Sequence, residues 1–264
     1  MNVDKGAASA DGFLICPRCK APLPSRRLSA PAPSCESCGA AVRADDVAID
    51  VLPEGAGKGS LGARAMQSAL IARIYAKVWR PVTFGVSTGF GAPGASREAR
   101  LVAEKIAATQ GPWLDLSCGP GTSTRALVAC AGGRAVFGVD LSRAMLARAH
   151  AAAPTAVLVR ADAARLPFRD GSFGAVVNLA ALDLYADPAR VVAESSRVLA
   201  SGGRWVVSTF VRGRGGARPR ARSSWSGVRT PTLEGVAQAA ASAGLRAFAT
   251  MPFRGYAIAW ADKP

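Results

Sequence analysis

The residues best suited to chemistry in this chain are glycines and acids that follow short apolar runs. Residues 113–122, WLDLSCGPGT, predict a buried strand that leads through a glycine turn into a helix. Such a turn directs backbone N–H groups at the polar end of a ligand. The next two apolar runs end in Asp140 and Asp162, and doubly wound folds bind a ribose with the acid that ends the second strand. The spacing therefore predicts a nucleoside-binding unit.

Two alternatives remain open for these motifs. A dinucleotide fingerprint requires a third glycine three residues after Gly121, where Thr124 stands. Gly119 and Gly121 also fit an ordinary tight turn between a strand and a helix, and each acid fits a strand-end cap. The ordered series of turn and carboxylates favours the nucleoside site over both alternatives.

With AARLPF at 163–168 added, the series strongly resembles the class I S-adenosylmethionine-dependent methyltransferases. The resemblance covers about residues 65–264. Over that span the chain particularly resembles a subgroup with an N-terminal zinc ribbon, which includes plastid-type methyltransferases and, more distantly, 23S ribosomal RNA guanine methyltransferases. It implies S-adenosylmethionine as cofactor and a sheet whose last strand inserts antiparallel.

The resemblance also implies which residues contact the cofactor. The turn lies against the methionine moiety, Asp115 orients the ammonium, Asp140 accepts from the ribose hydroxyls, and Asp162 accepts from the adenine amine. The full expected set is Asp115, Ser117, Cys118, Gly119, Gly121, Asp140, Leu141, Asp162, Ala163, Asn178 and Leu179.

The sequence departs from the family pattern at two positions. Ser117 stands where the first glycine of the turn is usual, so we expect its φ to stay negative. Gly174 stands where an aspartate is usual before the fourth strand.

Catalysis of methyl transfer asks little of the protein, because in-line placement of an acceptor supplies most of the rate. Asp183, just beyond the fourth strand, is the candidate catalytic base, with a helix cap or a solvated loop carboxylate as the alternative. We interpret His150, the sole histidine, as structural, and the thiols of Cys118 and Cys130 as packing groups.

Four cysteines near the N-terminus have metal-ligand spacing. Cys16 and Cys19 form one CxxC pair, and Cys35 and Cys38 form a second. Two such pairs complete the tetrahedral sulfur site that zinc prefers, and four thiolates leave no position for substrate, so we predict one structural zinc. A redox CxxC would require a helix after each pair, and disulfides are disfavoured in a reducing compartment.

Periodicity predicts an α/β, doubly wound, mostly parallel seven-stranded Rossmann-like sheet with a small N-terminal zinc-ribbon module. We divide the chain into the zinc ribbon (1–52), a linker (53–64) and the methyltransferase domain (65–264). The predicted helices are 65–80, ended by Pro81, and 97–108, 122–131, 143–151, 188–199 and 233–243. The predicted strands are the short run that begins at Trp113, and 135–139, 156–161, 174–179, 204–209, 246–250 and 256–260.

The 264-residue chain carries a formal net charge of +15, and the excess lies after residue 60. The Arg-rich segment 211–229 follows the fifth strand, and we expect its Arg218, Arg220 and Arg222 to rim the site of an anionic acceptor. A genome that favours Arg, Ala and Gly codons explains the same excess without a partner. Because the chain lacks a long apolar run and a signal peptide, we expect a cytoplasmic protein.

These expectations favour an enzyme that methylates a small or medium-sized acceptor. One alternative is a ribosomal RNA base methyltransferase that holds RNA with its basic surface and zinc module. The other is a non-catalytic scaffold that retains the cofactor fold. No acceptor motif follows the fourth strand, where residues 178–181 read NLAA.

Overall fold

A nine-stranded sheet forms the centre of the structure, a computed structural model that describes Ala10 and residues 12–23, 34–52, 80–212 and 230–264. Its central strands consist almost wholly of apolar residues because helices and loops cover both of their faces. The strands are β1 Arg43–Ala44, β2 Ile49–Asp50, β3 Trp113–Leu116, β4 Val136–Asp140, β5 Val157–Arg160, β6 Phe173–Leu179, β7 Leu199–Phe210, β8 Arg246–Phe253 and β9 Tyr256–Asp262.

The strand order is β1-β2-β5-β4-β3-β6-β7-β9-β8. Strands β2 to β7 run parallel, whereas β1 and the C-terminal pair β8 and β9 are antiparallel to their neighbours. The chain moves from β3 outward to β5 and then returns to β6 on the other side. This reversal creates a crevice at the carboxyl ends of β3 and β6, where ligands bind in open α/β sheets.

The prediction of a seven-stranded sheet was wrong, because the N-terminal segment adds two strands, β1 and β2, to the same sheet. Strand β2 pairs in parallel with β5, with Ile49 opposite Val159 and Asp50 opposite Arg160. Ile49 and Val51 are buried there. The remaining strands, β3 to β9, are seven in number, and each overlaps one of the seven predicted strands.

Six α-helices cover the sheet in the described ranges. Side chains cap three of them: Ser142 accepts from Met145 N, Asp187 from Arg190 N, and Thr232 from Gly235 N. The helices are α1 Arg80–Thr88, α2 Ala95–Ile106, α3 Thr122–Cys130, α4 Arg143–Ala152, α5 Pro188–Val198 and α6 Leu233–Ser242.

Pro81 does not end a helix as the sequence suggested, because the described residues are helical from Arg80 through to Thr88. Residues 65–79 of the predicted helix, and the linker at 53–64, lie outside the described residues.

A second difference concerns the segment between α5 and β7. The predicted turn at 201–203 is instead the irregular first part of β7, where Gly202 has a φ of 73° and the register against β6 shifts. Close packing explains why glycine stands at position 174, since a Cβ there would lie 1.5 Å from the Gln110 carbonyl oxygen. The usual aspartate therefore cannot fit at this position.

Four phenylalanines join the N-terminal segment to the core. The Phe13 ring centroid lies 5.2 Å from that of Phe137 and 6.1 Å from that of Phe173, and Phe168 completes the cluster. Phe13 O also accepts from Arg169 N. Among the described residues, none of the helices is both long and apolar enough to cross a membrane.

Candidate functional site

The glycine turn follows β3 at the crevice and has an unusual backbone. Ser117, Gly119 and Gly121 have φ values of 58°, 54° and 80°. The expectation of a negative φ at Ser117 was therefore wrong: the turn needs a left-handed residue there whatever its side chain. The Ser117 hydroxyl lies 2.5 Å from the Tyr185 hydroxyl, and this contact anchors a conformation that costs about 1 kcal/mol or more in a residue other than glycine.

The two glycines of the turn serve different purposes. Nothing lies within 4 Å of a Cβ built on Gly119, so this position faces open space at the crevice. A Cβ on Gly121 would lie 2.6 Å from the Ala149 Cα of helix α4. Gly119 therefore leaves room for a ligand, whereas Gly121 allows α3 and α4 to pack.

Asp140, at the end of β4, organises the turn. One carboxylate oxygen accepts from Gly119 N at 2.9 Å, and the other accepts from Ser142 N at 2.8 Å. Burial raises the pKa of this carboxyl above its ordinary value, although backbone N–H groups oppose the effect. Each carboxylate oxygen can accept a second hydrogen bond, so Asp140 retains capacity for two hydroxyls.

Asp115 lies deeper than the sequence suggested, with 1% of its surface exposed. Its Oδ2 accepts from Ser123 Oγ at 2.8 Å and from Thr124 Oγ1 at 2.7 Å. Its Oδ1 is buried with no hydrogen-bond partner among the described residues. Burial raises the pKa of Asp115 to about 6, against the lowering effect of the two hydroxyls.

Asp162 lies two residues after the end of β5, whose last residue, Arg160, is paired with Asp140 at the end of β4. Its carboxylate is exposed and accepts from Ala164 N at 2.9 Å, while Ala163 is buried. Leu141 follows Asp140, and its carbonyl oxygen accepts from Arg160 Nε at 3.0 Å. The structure thus brings the three acid-bearing strand ends together at one edge of the sheet.

Asn178 and Leu179 end strand β6 beside the turn. Asn178 donates from Nδ2 to Leu116 O and to Tyr185 Oη, both at 2.8 Å, and its side chain is buried. Leu179 lines a small cavity of about 40 Å³ together with Ser117 and Gly119. Sequence reasoning missed Tyr185, which joins Ser117 to Asn178.

The other candidate residues lie in different surroundings. Asp183 is 2% exposed, in a 3-10 turn at Leu182–Leu184 just after β6, so the alternative of a solvated loop carboxylate does not apply. Cys118 packs beneath the turn, and burial raises the pKa of its thiol well above the ordinary value. Cys130 is exposed, so its interpretation as a packing residue was wrong. Arg218, Arg220 and Arg222 lie outside the described residues.

A buried polar cluster lies beside the glycine turn and was not predicted. Glu98, on α2, is 1% exposed and accepts from Arg80 and, at 2.5 Å, from Tyr256 Oη. Tyr256 Oη also contacts Ser208 Oγ at 2.9 Å. Arg80 and Glu98 line the same small cavity as the glycine turn. The sequence contained a signal for the burial of Glu98, since it precedes the buried Val102 by four residues and so lies on the same face of α2.

The four N-terminal cysteines come together as predicted. Their sulfur atoms all lie within 4.8 Å of one another, with Cys16 to Cys38 at 3.6 Å and Cys19 to Cys35 at 3.5 Å. Sulfurs around a tetrahedral zinc lie about 3.8 Å apart, given Zn–S bonds of about 2.3 Å, whereas a disulfide needs about 2.05 Å. The donor set therefore fits zinc and contains no disulfide.

The two CxxC turns share one backbone geometry. Lys20 N donates to Cys16 O and Gly39 N donates to Cys35 O, both at 2.9 Å, and Lys20 and Gly39 have φ values of 65° and 68°. Burial raises the pKa of the Cys35 thiol, but hydrogen bonds from Ser37 N, the Cys19 side chain, Cys38 N and the Cys16 side chain outweigh it and lower the pKa to about 7. N–H groups directed at sulfur favour a thiolate, the form that binds metal.

Comparison with known proteins agrees with this architecture. Residues 114–207 match the model of a family described as a methyltransferase domain. An uncharacterised chloroplastic methyltransferase of Arabidopsis thaliana is 34% identical over 156 residues, which cover 55% of this chain and 43% of that protein. A demethylmenaquinone methyltransferase of Thermus thermophilus is 41% identical over 101 residues, which cover 37% of this chain and 46% of that protein. The chain thus spans under half the length of these relatives.

Among solved structures, a Haemonchus contortus phosphoethanolamine N-methyltransferase aligns with a TM-score of 0.61 at 16% identity, over 75% of this chain and 60% of that one. This likeness shows the fold. That fold is a mixed α/β, Rossmann-like sheet, and residues 114–207 lie within it.

Proposed function

We propose that this protein is an S-adenosylmethionine-dependent methyltransferase. The observation that carries the proposal is the contact between the Gly119 amide and the Asp140 carboxylate, beside open space at Gly119. It joins the turn after β3 to the acid after β4 at the switch point of the sheet. The methyltransferase-domain match over residues 114–207 supports the same function.

The residues present fit the cofactor, because each of its polar groups has a counterpart at this edge. Asp140 would hold the ribose hydroxyls, and Asp162 would accept from the adenine amine. The turn from Ser117 to Gly121 would lie against the methionine end. Asp115, with its buried and unpartnered Oδ1, would attract the ammonium.

Bound S-adenosylmethionine supplies an activated methyl group on a sulfonium. The protein's part is then to position groups rather than to activate them. Leu179 lines the cavity beside the turn and excludes water there, and the bonds from Tyr185 to Ser117 and Asn178 hold that wall in place. Asp183 remains the proposed base for acceptors that must lose a proton.

We propose a small or medium-sized acceptor. Relatives named demethylmenaquinone methyltransferases support this size class, as they match this chain at 35–41% identity over about 100 residues.

We also propose that Cys16, Cys19, Cys35 and Cys38 hold one structural zinc. The convergent sulfurs and the matching backbone of the two turns support it. Four thiolates complete the metal's coordination, so its contribution is to folding rather than to the methyl transfer.

The test of the cofactor assignment is calorimetric titration with S-adenosylhomocysteine, the demethylated product. Wild-type protein should bind it, and Gly119→Ala should abolish or severely weaken binding, since the new methyl group projects into the open space. Gly133→Ala is the matched control, because Gly133 also has a positive φ, 87°, and open space around a built Cβ, but lies before β4 at the opposite end of the strand. Absence of binding by wild type, or equal binding by the two variants, would overturn the proposal.

A further inference from the structure

The N-terminal module, defined here as residues 12–23 and 34–52, contacts the nucleoside half of the proposed cofactor site by two independent routes. We infer that this module is part of the adenosine-binding site, with Pro17 and Val51 as a wall for the base and Asp50 as a positioning residue. The inference rests on the proposed function and deepens it.

The first route is a shared cavity of about 340 Å³. Pro17, between the first two cysteines, and Val51, just after β2, line it from the module, while Ala161 and Asp162 line it from the end of β5. Its volume lies within the range of about 300–1,000 Å³ typical of small-molecule sites. Ala164, Arg165 and Arg190 complete the lining. The apolar surfaces of Pro17, Val51 and Ala161 beside the Asp162 carboxylate suit a flat heteroaromatic base with an exocyclic amine.

The second route is a relay of hydrogen bonds. Asp50 Oδ2 accepts from Arg160 Nη1 at 2.9 Å, and the same guanidinium donates from Nε to Leu141 O at 3.0 Å. The Asp50 side chain is 11% exposed and that of Arg160 is 28% exposed, so solvent screens the pair only in part. Leu141 directly follows the acid that would bind the ribose. Asp50 therefore acts on the site through Arg160, by fixing the direction of the guanidinium.

The module is held firmly enough to serve as a wall. Ile15 N donates to Pro167 O at 2.9 Å, Leu14 is 1% exposed, and Val51 N donates to Arg160 O at 3.2 Å. Cys16, next to Pro17, is fully buried. Because Pro17 lies between two of the four cysteines, the backbone that presents it is the one that a bound metal would fix.

The inference is tested by calorimetry on the full chain with two ligands, S-adenosylhomocysteine and 5′-methylthioadenosine, which lacks the amino-acid end. Asp50→Asn and Pro17→Ala should each weaken both ligands by roughly threefold to tenfold, the size of one lost hydrogen bond or of a few lost wall contacts. The loss should be equal for the two ligands because it arises at their common adenosine end.

Two control variants keep the module but do not touch the site. Asp45→Asn alters a carboxylate that pairs with Arg143 on the exposed surface, and Glu36→Ala alters the position equivalent to Pro17 in the second CxxC turn. Both should bind the two ligands as wild type does, and zinc content and melting temperature are measured for every variant.

The possible results distinguish failure of this inference from failure of the proposed methyltransferase function. If wild type binds S-adenosylhomocysteine and both Asp50→Asn and Pro17→Ala bind as tightly, the inference is wrong and the proposed function stands. A loss confined to S-adenosylhomocysteine also overturns it, as does a fall in melting temperature without any change in affinity. If wild type binds neither ligand, the proposed function itself fails.

Discussion

Replacing Asp140 with alanine tests the centre of the proposed site. The carboxylate accepts from Gly119 N at 2.9 Å and from Ser142 N at 2.8 Å, and both bonds are lost in the variant. Hydrogen bonds to a charged group contribute about 1.5–3 kcal/mol each. Losing even one equivalent contact to the ribose weakens S-adenosylhomocysteine at least about tenfold, because 1.4 kcal/mol corresponds to a factor of ten.

The assay pairs the variant with a change in the ligand. Calorimetry compares 5′-methylthioadenosine with its 2′-deoxy form on wild type and on Asp140→Ala. If the carboxylate accepts from the ribose, loss of the 2′-hydroxyl weakens binding to wild type but hardly changes binding to the variant. Asp170→Ala serves as the control, because the Asp170 side chain is 79% exposed and pairs with Arg197 far from the turn.

Two results would refute this reasoning. Asp140→Ala binding S-adenosylhomocysteine as tightly as wild type would mean that the acid only caps the turn. An equal effect of the 2′-hydroxyl on both proteins would mean that the carboxylate supports the site without touching the ribose.

Three further outcomes are expected. Metal analysis should find about one zinc per chain in wild type, lost in Cys35→Ser together with thermal stability but retained in Cys130→Ser, whose thiol lies outside the cluster. Burial raises the pKa of Asp115 from 3.8 to about 6, so between these pH values the folded chain binds more protons than the unfolded chain and wild type loses stability as pH rises. Asp115→Asn should escape this loss. Urea unfolding at pH 4 and pH 7 should show that the stability of the variant relative to wild type improves at the higher pH by up to about 3 kcal/mol. Tyr256→Phe should lower the free energy of unfolding by about 1–3 kcal/mol, since the buried Glu98 carboxylate loses a donor, and an unchanged urea midpoint would contradict the role given to this cluster.

Much of the domain could be predicted because its signals are local. The strand that ends at Asp140, the strand shortly before Asp162 and the cap at Ser142 follow from short stretches of sequence, and the structure has them. The antiparallel last strand, which the family resemblance implied, is also present. The convergence of the four cysteines is of the same kind, since each CxxC turn forms within a few residues.

What could not be predicted depends on contacts between distant segments. Nothing near Ile49 and Asp50 indicates that they pair with β5, because a two-residue strand has no pattern of its own. The positive φ of Ser117 follows from the path of the turn, which Tyr185 holds from 68 residues away. The Glu98 cluster likewise needs Tyr256, 158 residues later.

The pairing of β2 with β5 has a consequence for how the chain folds as it is made. Asp50 meets Arg160 across 110 residues of sequence, so at about 5–20 residues per second β2 leaves the ribosome roughly 5–22 s before its partner. The cysteine cluster, by contrast, closes over only 22 residues, from Cys16 to Cys38. Metal captured by the nascent chain would therefore give the segment a folded shape during the interval in which β2 has only the two-residue strand β1 to pair with. Zinc limitation during synthesis should then reduce the yield of folded protein more than the same limitation imposed afterwards.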